Sequence, residues 1–231
     1  MTAKHVEPHL PVRQDGEHSR ERLLRAGLAL FAQHGFSKTS TREIAVAAHT
    51  NIAAISYYFG DKAGLYRAVF FESKGSPEEG IARYGGGEPT LRQALQGLYA
   101  SFLEPLKQGD TARQCMKLHA REMLEPTGLW EEEISTGIRP KHDALVAMLC
   151  RHFGIKKADD ELRRLAVCIA GLGVFMHVGR DVTDVIAPTL NSNPRSLDLW
   201  TERLVMYALA MVQAEARRRK TAVQTKGTRK Q

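Results

Sequence analysis

No run of about 18 or more apolar residues occurs in this chain, so no segment can span a bilayer as a single helix. The opening stretch, MTAKHVEPHLPVRQDGEHSR, holds no apolar core of the kind a secretion signal needs. Both absences predict a cytoplasmic protein with no membrane partner. Cysteine is scarce: Cys115, Cys150 and Cys168 are odd in number and far apart, without the spacing of metal ligands or of a disulfide framework. They read as free thiols in a reducing compartment, and neither a metal nor a cofactor is expected. Alternating apolar and polar residues, the mark of a strand, are missing, as is any internal repeat. There is no Gly-rich phosphate loop and no nucleophile elbow, and Glu131-Glu132-Glu133 reads as a solvated run rather than paired catalytic carboxylates. An enzyme is therefore not expected.

Acidic residues are absent from the end of the chain. Residues 216–231 carry seven basic residues and no acid, which accounts for the whole formal charge of +7. Residues 19–75 hold eight bases and four acids, whereas residues 76–215 hold sixteen bases and nineteen acids. A basic first module ahead of an acidic body suggests a polyanion as that module's partner.

What is present is helical throughout. Residues 1–18, with Pro8, Pro11 and Gly16, read as a disordered arm. A helix starts at Ser19, with Leu24, Leu28 and Phe31 on one face and Leu23, Gly27 and Leu30 beside it, and Gly35 ends it. Ser40 and Glu43 form the S-x-x-E capping box of a second helix reaching Ala48. Asn51 caps a third over Ile52–Phe59, and Asp61 caps a fourth running through Leu65, Val69 and Phe70. SKGSPEEG and YGGGEPT then break the pattern. Beyond them come helices over Leu91–Leu106, Thr111–Leu124 and Leu129–Phe153, the last interrupted at Gly137 and Pro140. Two long apolar helices, 159–182 and 196–219, close the fold, with a loop between them. The expected organisation is an all-α chain: the arm, a helix-turn-helix domain over 19–75, a helical body over 76–216 and a basic disordered tail over 217–231.

Two short helices, braced by a longer one before and another after, make the helix-turn-helix plan. Its turn needs a left-handed residue, and His49 is the candidate. The second short helix must lie in a DNA major groove. Ile52, Ala53, Ala54 and Ser56 let its backbone approach the bases, with Asn51 or Ser56 supplying hydrogen bonds. Tyr57 and Tyr58 offer hydroxyls to phosphates. Thr41, Arg42 and Lys62 stand at helix N-termini that favour phosphate, and Arg42 is also long enough to reach guanine. Ordinary structural roles stand beside these: Ile44, Ala45, Ala48, Ile55 and Phe59 as core, either tyrosine as core, Lys62 as a solvated cation, and Arg42 paired with Glu43 or Glu72.

The stretch RLLRAGLALFAQHGFSKTSTREIAVAAHTNIAAISYYFGDKAGLYRAVF resembles the N-terminal domain of the TetR family of bacterial transcriptional regulators. The resemblance rests on His34-Gly35-Phe36, Thr39, Ile44-Ala45, Ala48, Ile55-Ser56-Tyr57-Tyr58-Phe59, Asp61-Lys62 and Leu65. It implies DNA contact by Thr41, Arg42, Asn51, Ile52, Ala53, Ala54, Ser56, Tyr57, Tyr58 and Lys62. It also implies a homodimer joined through the last two helices, a pseudo-palindromic double-stranded operator, and repression relieved when a small molecule enters the C-terminal domain. His49-Thr50 departs from the family's usual Gly-Val, Gly60 from a Pro or polar residue, and Ser56 from a frequent aromatic. Further on, AREMLEPT and IRPKHDALVAML resemble the CecR-like subgroup of that family.

The two closing helices are apolar around more than half their circumference, which one small body cannot cover. A four-helix bundle with a second subunit would, using Leu165, Ile169, Leu172, Trp200, Leu204, Tyr207 and Met211. Burial at the centre of a single subunit is the alternative. Candidates to line an effector pocket are Phe102, Met116, His119, Met123, Trp130, Phe175, Met176 and His177, residue types that equally suit a plain core. Arg180 with Asp181 suits either anion recognition or a dimer salt bridge. An activator, a regulator without a ligand and, more remotely, an α-helical protein-binding adaptor are the other functions this pattern accommodates.

Overall fold

The computed structural model describes residues 12–72, 89–107 and 109–228, all helix, turn and loop with no strand among them. The chain divides into two units, the first ending at Lys74.

In the first unit α1 spans Val12–Lys38, α2 Thr41–Ala47, α3 Ala53–Phe59 and α4 Lys62–Glu72. Helix α1 begins seven residues ahead of Ser19, so residues 12–18 of the expected arm are helical. After Pro11 the only poor helix former there is Gly16, whose cost of about 1 kcal/mol a long helix absorbs; residues 1–11 lie outside the described residues. Gly35, at φ 81° and ψ 171°, breaks the helix. The buried Thr39 hydroxyl then donates to the Gly35 carbonyl at 2.8 Å, tying down the approach to α2. The capping box forms: Glu43 N–H donates to Ser40 Oγ at 3.1 Å, and Ser40 N–H to the Glu43 carboxylate at 2.8 Å.

The turn after α2 is closed by two backbone bonds, Thr50 N–H to Ala45 O at 3.0 Å and His49 N–H to Val46 O at 3.1 Å. This is a Schellman motif. Its left-handed position is His49, at φ 51°, and no other non-glycine residue among those described has positive φ. Asn51 Oδ1 accepts from Ala53 N–H at 2.9 Å to start α3, and Asp61 Oδ1 accepts from Gly64 N–H at 2.8 Å to start α4. Leu23, Leu28, Phe31, Ile44, Ile55, Leu65 and Phe70 form the core, with Tyr66 edge-on to Phe31 at 4.9 Å. Gly27 lets α1 approach α4, since a Cβ there would lie 3.1 Å from Val69.

In the second unit the helices are α5 (Leu91–Lys107), α6 (Asp110–Leu124), α7 (Trp130–Glu133), α8 (Arg139–Phe153), α9 (Asp160–Val178), α10 (Arg180–Ile186) and α11 (Pro194–Thr228). A π-helical turn, Ile134–Ile138, joins α7 to α8 at the interruption expected from Gly137. A Cβ on Gly137 would come within 2.5 Å of the buried Glu133 carboxylate. The fully buried Glu122 carboxylate accepts from the N–H groups of Thr127 and Leu129 at 2.8 and 3.2 Å, closing the loop between α6 and α7. Leu95, Leu98 and Leu103 of α5 pack with Leu145 and Leu149 of α8, Leu162 and Ala166 of α9, and Val205 and Ala208 of α11. Tyr99 buries its ring there and donates to the Ile169 carbonyl at 3.0 Å.

Three expectations are corrected. Residues 159–182 are not one helix: the chain bends by 71° at Gly179 into α10. The loop expected after Val182 contains the rest of α10 and a 3-10 turn, Pro188–Asn191. The tail from Arg217 continues α11 to Thr228. Its like charges are offset by local pairs, Arg218 and Arg219 with Glu215 at 2.8 and 2.7 Å, and Arg219 with Asp159 at 2.7 Å. No single described helix is long and apolar enough to cross a membrane.

Two substitutions test the turns. A Cβ on Gly64 would lie 1.9 Å from the Phe59 carbonyl oxygen, which no side-chain rotation relieves. Gly64→Ala is expected to cost about 1–3 kcal/mol in denaturant unfolding, the usual range for overpacking. A β-branched residue at position 49 meets the left-handed penalty, so His49→Val should lose about 1–2 kcal/mol while His49→Gly loses nothing.

Candidate nucleic-acid interface

Helix α3 has seven residues, too few to persist by itself in water. One fully buried side chain, Ile55, anchors it, and Phe59 lies half-buried beneath the Arg20 guanidinium at 5.3 Å. That guanidinium also grips Glu72 through two bonds of 2.9 and 2.6 Å, joining α1 to the end of α4. Arg22 donates to the Ala48 carbonyl at 3.0 Å, fixing the end of α2. The brace lies behind α3 and leaves its other side open.

On that open side Asn51, Ile52, Ala53, Ser56 and Tyr57 are exposed, Ile52 to 48% and Tyr57 to 81%. Ala54 and Tyr58 are half-buried, and the Tyr58 ring stands edge-on to Tyr57 at 4.8 Å, so neither tyrosine belongs to the core. Asn51 is exposed but its Oδ1 is occupied by the cap. Arg42 is exposed; Glu43 is held by Ser40 and Glu72 by Arg20, so neither acid pairs with it. The bonds from Ser40 hold the Glu43 carboxyl below its ordinary range. Thr41 is half-buried at the first position of α2. Lys62 is half-buried with its ammonium 4.4 Å over the Phe36 ring, a cation–π contact rather than a solvated cation. Val46, 69% exposed on α2, adds an apolar group that the sequence reading did not single out. Its only signal was a β-branched residue out of phase with Ile44, Ala45 and Ala48.

The expected pocket residues of the second unit do not converge. Met123 and Phe175 are 51% and 55% exposed and so turn outward. Met176 is buried in the core, and Phe102, Met116, His119 and Trp130 are half-buried. His119 places Nδ1 2.8 Å from the carbonyl of Cys115, one turn earlier. His177 sits beside Phe102, ring centroids 6.1 Å apart. Burial, reinforced by the Arg180 charge, lowers its pKa to about 4, so the ring is neutral at ordinary pH. Among the described residues no three metal-ligating side chains come together.

The expected dimer residues divide as well. Leu165, Ile169 and Leu204 are 8%, 0% and 3% exposed, consumed by the subunit's own core. Leu172, Trp200 and Met211 are half-buried, and Tyr207 is 47% exposed. The apolar positions left uncovered lie on the opposite side of the same helices. Among them on α9 are Val167, Gly171, Val174 and Val178, at spacings of four, three and four, and on α11 Leu199, Met206 and Ala210.

Residues 23–69 match the sequence profile described as bacterial regulatory proteins, tetR family. Residues 91–214 match the C-terminal domain of the HTH-type transcriptional dual regulator CecR. The CecR regulator of Shigella flexneri is 32% identical over 158 residues, which cover 64% of this chain and 70% of that protein. Two solved structures share the fold. One is a transcriptional regulator of the TerR/AcrR family from Aquifex aeolicus VF5, with TM-score 0.57, 16% identity, and 84% of this chain and 99% of that chain covered. The other is a transcriptional regulator from Rhodococcus sp. Rha1, with TM-score 0.59, 21% identity, and 83% and 96% covered. With the helix-turn-helix matched by one profile and more than half of the chain by the other, this protein belongs to the TetR family of bacterial transcriptional regulators and carries the CecR type of C-terminal domain.

Proposed function

We propose that the chain acts as a homodimeric repressor that binds a pseudo-palindromic operator through α2 and α3 and is released by a small-molecule effector. The observation that carries the DNA-contacting part is the open face of α3. Its small side chains lie where a major-groove helix needs close approach, flanked by Arg42 and the Tyr57 and Tyr58 hydroxyls. Phosphate contacts position the helix, and base edges reached from Ile52, Ala53 and Ser56 specify the sequence. Lys62, engaged with Phe36, contributes charge near the phosphates rather than a direct grip.

Dimerisation is assigned to the uncovered seam. Val167, Gly171, Val174 and Val178 repeat as one face of α9, and Leu199, Met206 and Ala210 as one face of α11. Four such helices, two from each chain, cover one another, and Gly171, with nothing within 4 Å of its Cβ position, lets them approach closely. A dimer must present its two α3 helices about one turn of DNA apart. An effector that favours a differently spaced dimer about 100-fold contributes about 2.7 kcal/mol of release. The Shigella relative is named a dual regulator, so activation at some promoters is the second reading.

Duplexes enriched from a random library by the purified protein provide the operator probe. Arg42→Ala should weaken binding by about 1–3 kcal/mol, and if the contact is to phosphate the salt slope should fall by about one per half-site. Unchanged affinity and slope would remove Arg42 from the interface. Val174→Glu combined with Met206→Glu should convert the dimer to a folded monomer in sedimentation and lower operator affinity at least 100-fold. A double variant that remains dimeric would contradict the seam.

A further inference from the structure

Charge in the second unit is segregated. Residues 151–164 and 215–220 hold nine bases and four acids, while the other residues between 76 and 214 hold eleven bases and fifteen acids. The fold brings the two basic stretches together. Arg219, in the last third of α11, donates to Asp159 at 2.7 and 2.9 Å, and its guanidinium lies 5.5 Å over the Phe153 ring at the end of α8. Asp159 in turn caps α9, accepting from Leu162 N–H at 2.9 Å. The end of α8, the start of α9 and the basic part of α11 thus meet at one point.

The acids at that point are consumed by three of the arginines. Arg219 takes Asp159 and Glu215, Arg218 takes Glu215 at 2.8 Å, and Arg164 takes Glu161 at 2.6 Å. Arg151, Lys156, Lys157, Arg163, Arg217 and Lys220 are exposed and form no ion pair with any described residue, and Asp160 is the acid left over. Arg163 and Arg164 border an open depression of about 460 Å³, and Arg151 and His152 one of about 240 Å³. Like charges gathered within the Debye length, about 8 Å at physiological salt, repel one another. None of the six unpaired cations is buried or bonded so as to hold the fold, and the operator-binding face on α2 and α3 uses none of them.

We propose that this basic end of the second unit is a second DNA-binding surface, which holds the phosphate backbone of duplex DNA outside the operator without reading its sequence. Unpaired Lys and Arg side chains that neutralise phosphates release condensed counterions, and this drives non-specific binding. Arg217 and Lys220, three residues apart on α11, are neighbours on one helix face, and Lys156 and Lys157 stand in the loop packed against that helix by the Asp159–Arg219 pair. A membrane surface calls for apolar groups beside the cations. The exposed residues between these cations, Arg218 on α11 and Gly154, Asp159 and Asp160 in the loop and first turn of α9, carry none. This inference rests on the operator-binding reading for the choice of duplex DNA over another polyanion.

The full-length protein is titrated with two duplexes, one ending at the operator and one extended well beyond it on both sides. In the unaltered protein the extended duplex should bind more tightly and lose affinity more steeply with salt, each added phosphate contact adding about 0.9 to the slope. The combined variant Lys156→Gln, Lys157→Gln, Arg217→Gln and Lys220→Gln should lower the slope on the extended duplex by at least about two, cost at least about tenfold in affinity at about 50 mM salt, and leave the short duplex unaffected. The charge-keeping variant Lys156→Arg, Lys157→Arg and Lys220→Arg should retain the slope. Because these side chains have no ion pair to lose, the Gln variant should keep its thermal midpoint, and a lowered midpoint would assign the cations to the fold instead. Equal slopes on the two duplexes in the unaltered protein, or an unchanged slope in the Gln variant, would overturn the second surface. So would a Gln variant that loses binding to phosphatidylserine vesicles while holding the extended duplex as before, which would assign this end to a lipid surface. If the unaltered protein does not bind the short duplex, the α2 and α3 reading fails, while the salt slope on non-operator DNA still decides the second surface.

Discussion

A short helix that is to reach DNA, the role we propose for α3, cannot also be held by burial on all sides, and the first unit is organised around that conflict. Helix α3 gains little from its own hydrogen bonds and buries one side chain fully. Its position comes from what lies before and after it. The Schellman turn through His49 sets the direction of entry, the Asn51 cap begins the helix, and the Asp61 cap turns the chain away behind it. Arg20 performs a double task, stacking over Phe59 while clamping Glu72. These contacts are made on the back of the module, so the face with Ala53, Ser56 and Tyr57 remains free.

The left-handed turn at His49 is the most constrained point of this arrangement. Glycine adopts that geometry without penalty, and the departure to His carries a conformational cost. The cost is met by two backbone bonds and by Arg22, which satisfies the Ala48 carbonyl at the same corner. Gly64 is the second constrained point, because the Phe59 carbonyl oxygen occupies the space a side chain would need.

Local chemistry was legible in the sequence wherever a signal is carried by neighbours in the chain. The capping box at Ser40 and Glu43, the caps at Asn51 and Asp61, the left-handed His49 and the interruption at Gly137 were all readable as short patterns. What depends on which side of a helix meets its own subunit was not. Helices α9 and α11 are apolar on two sides, and periodicity does not say which side the subunit consumes. Hence Leu165, Ile169 and Leu204, expected at a subunit interface, are buried within the subunit's own core, while Val174 and Met206 on the other side are exposed. Met123 and Phe175 were misplaced inward for the same reason. The bend at Gly179 was hidden because Gly-Arg-Asp continues the helical pattern without a proline. The basic end of α11 looked like a solvated tail because its partners, Asp159 and Glu215, lie on separate elements or just ahead of the charge run. The burial of Glu122 was invisible, because no single residue type announces it.

The central claim is that α3, held open by its brace, reads one half of a symmetric DNA site in each subunit. Selection of bound fragments from sheared genomic DNA, at an ionic strength of about 150 mM, tests it most directly. The account predicts enrichment of a pseudo-palindrome whose half-sites lie about 10 base pairs or a multiple apart, in keeping with two recognition helices on successive major-groove faces. Recovery of fragments with no common dyad, or of nothing above background from protein freed of bound small molecules, would contradict it.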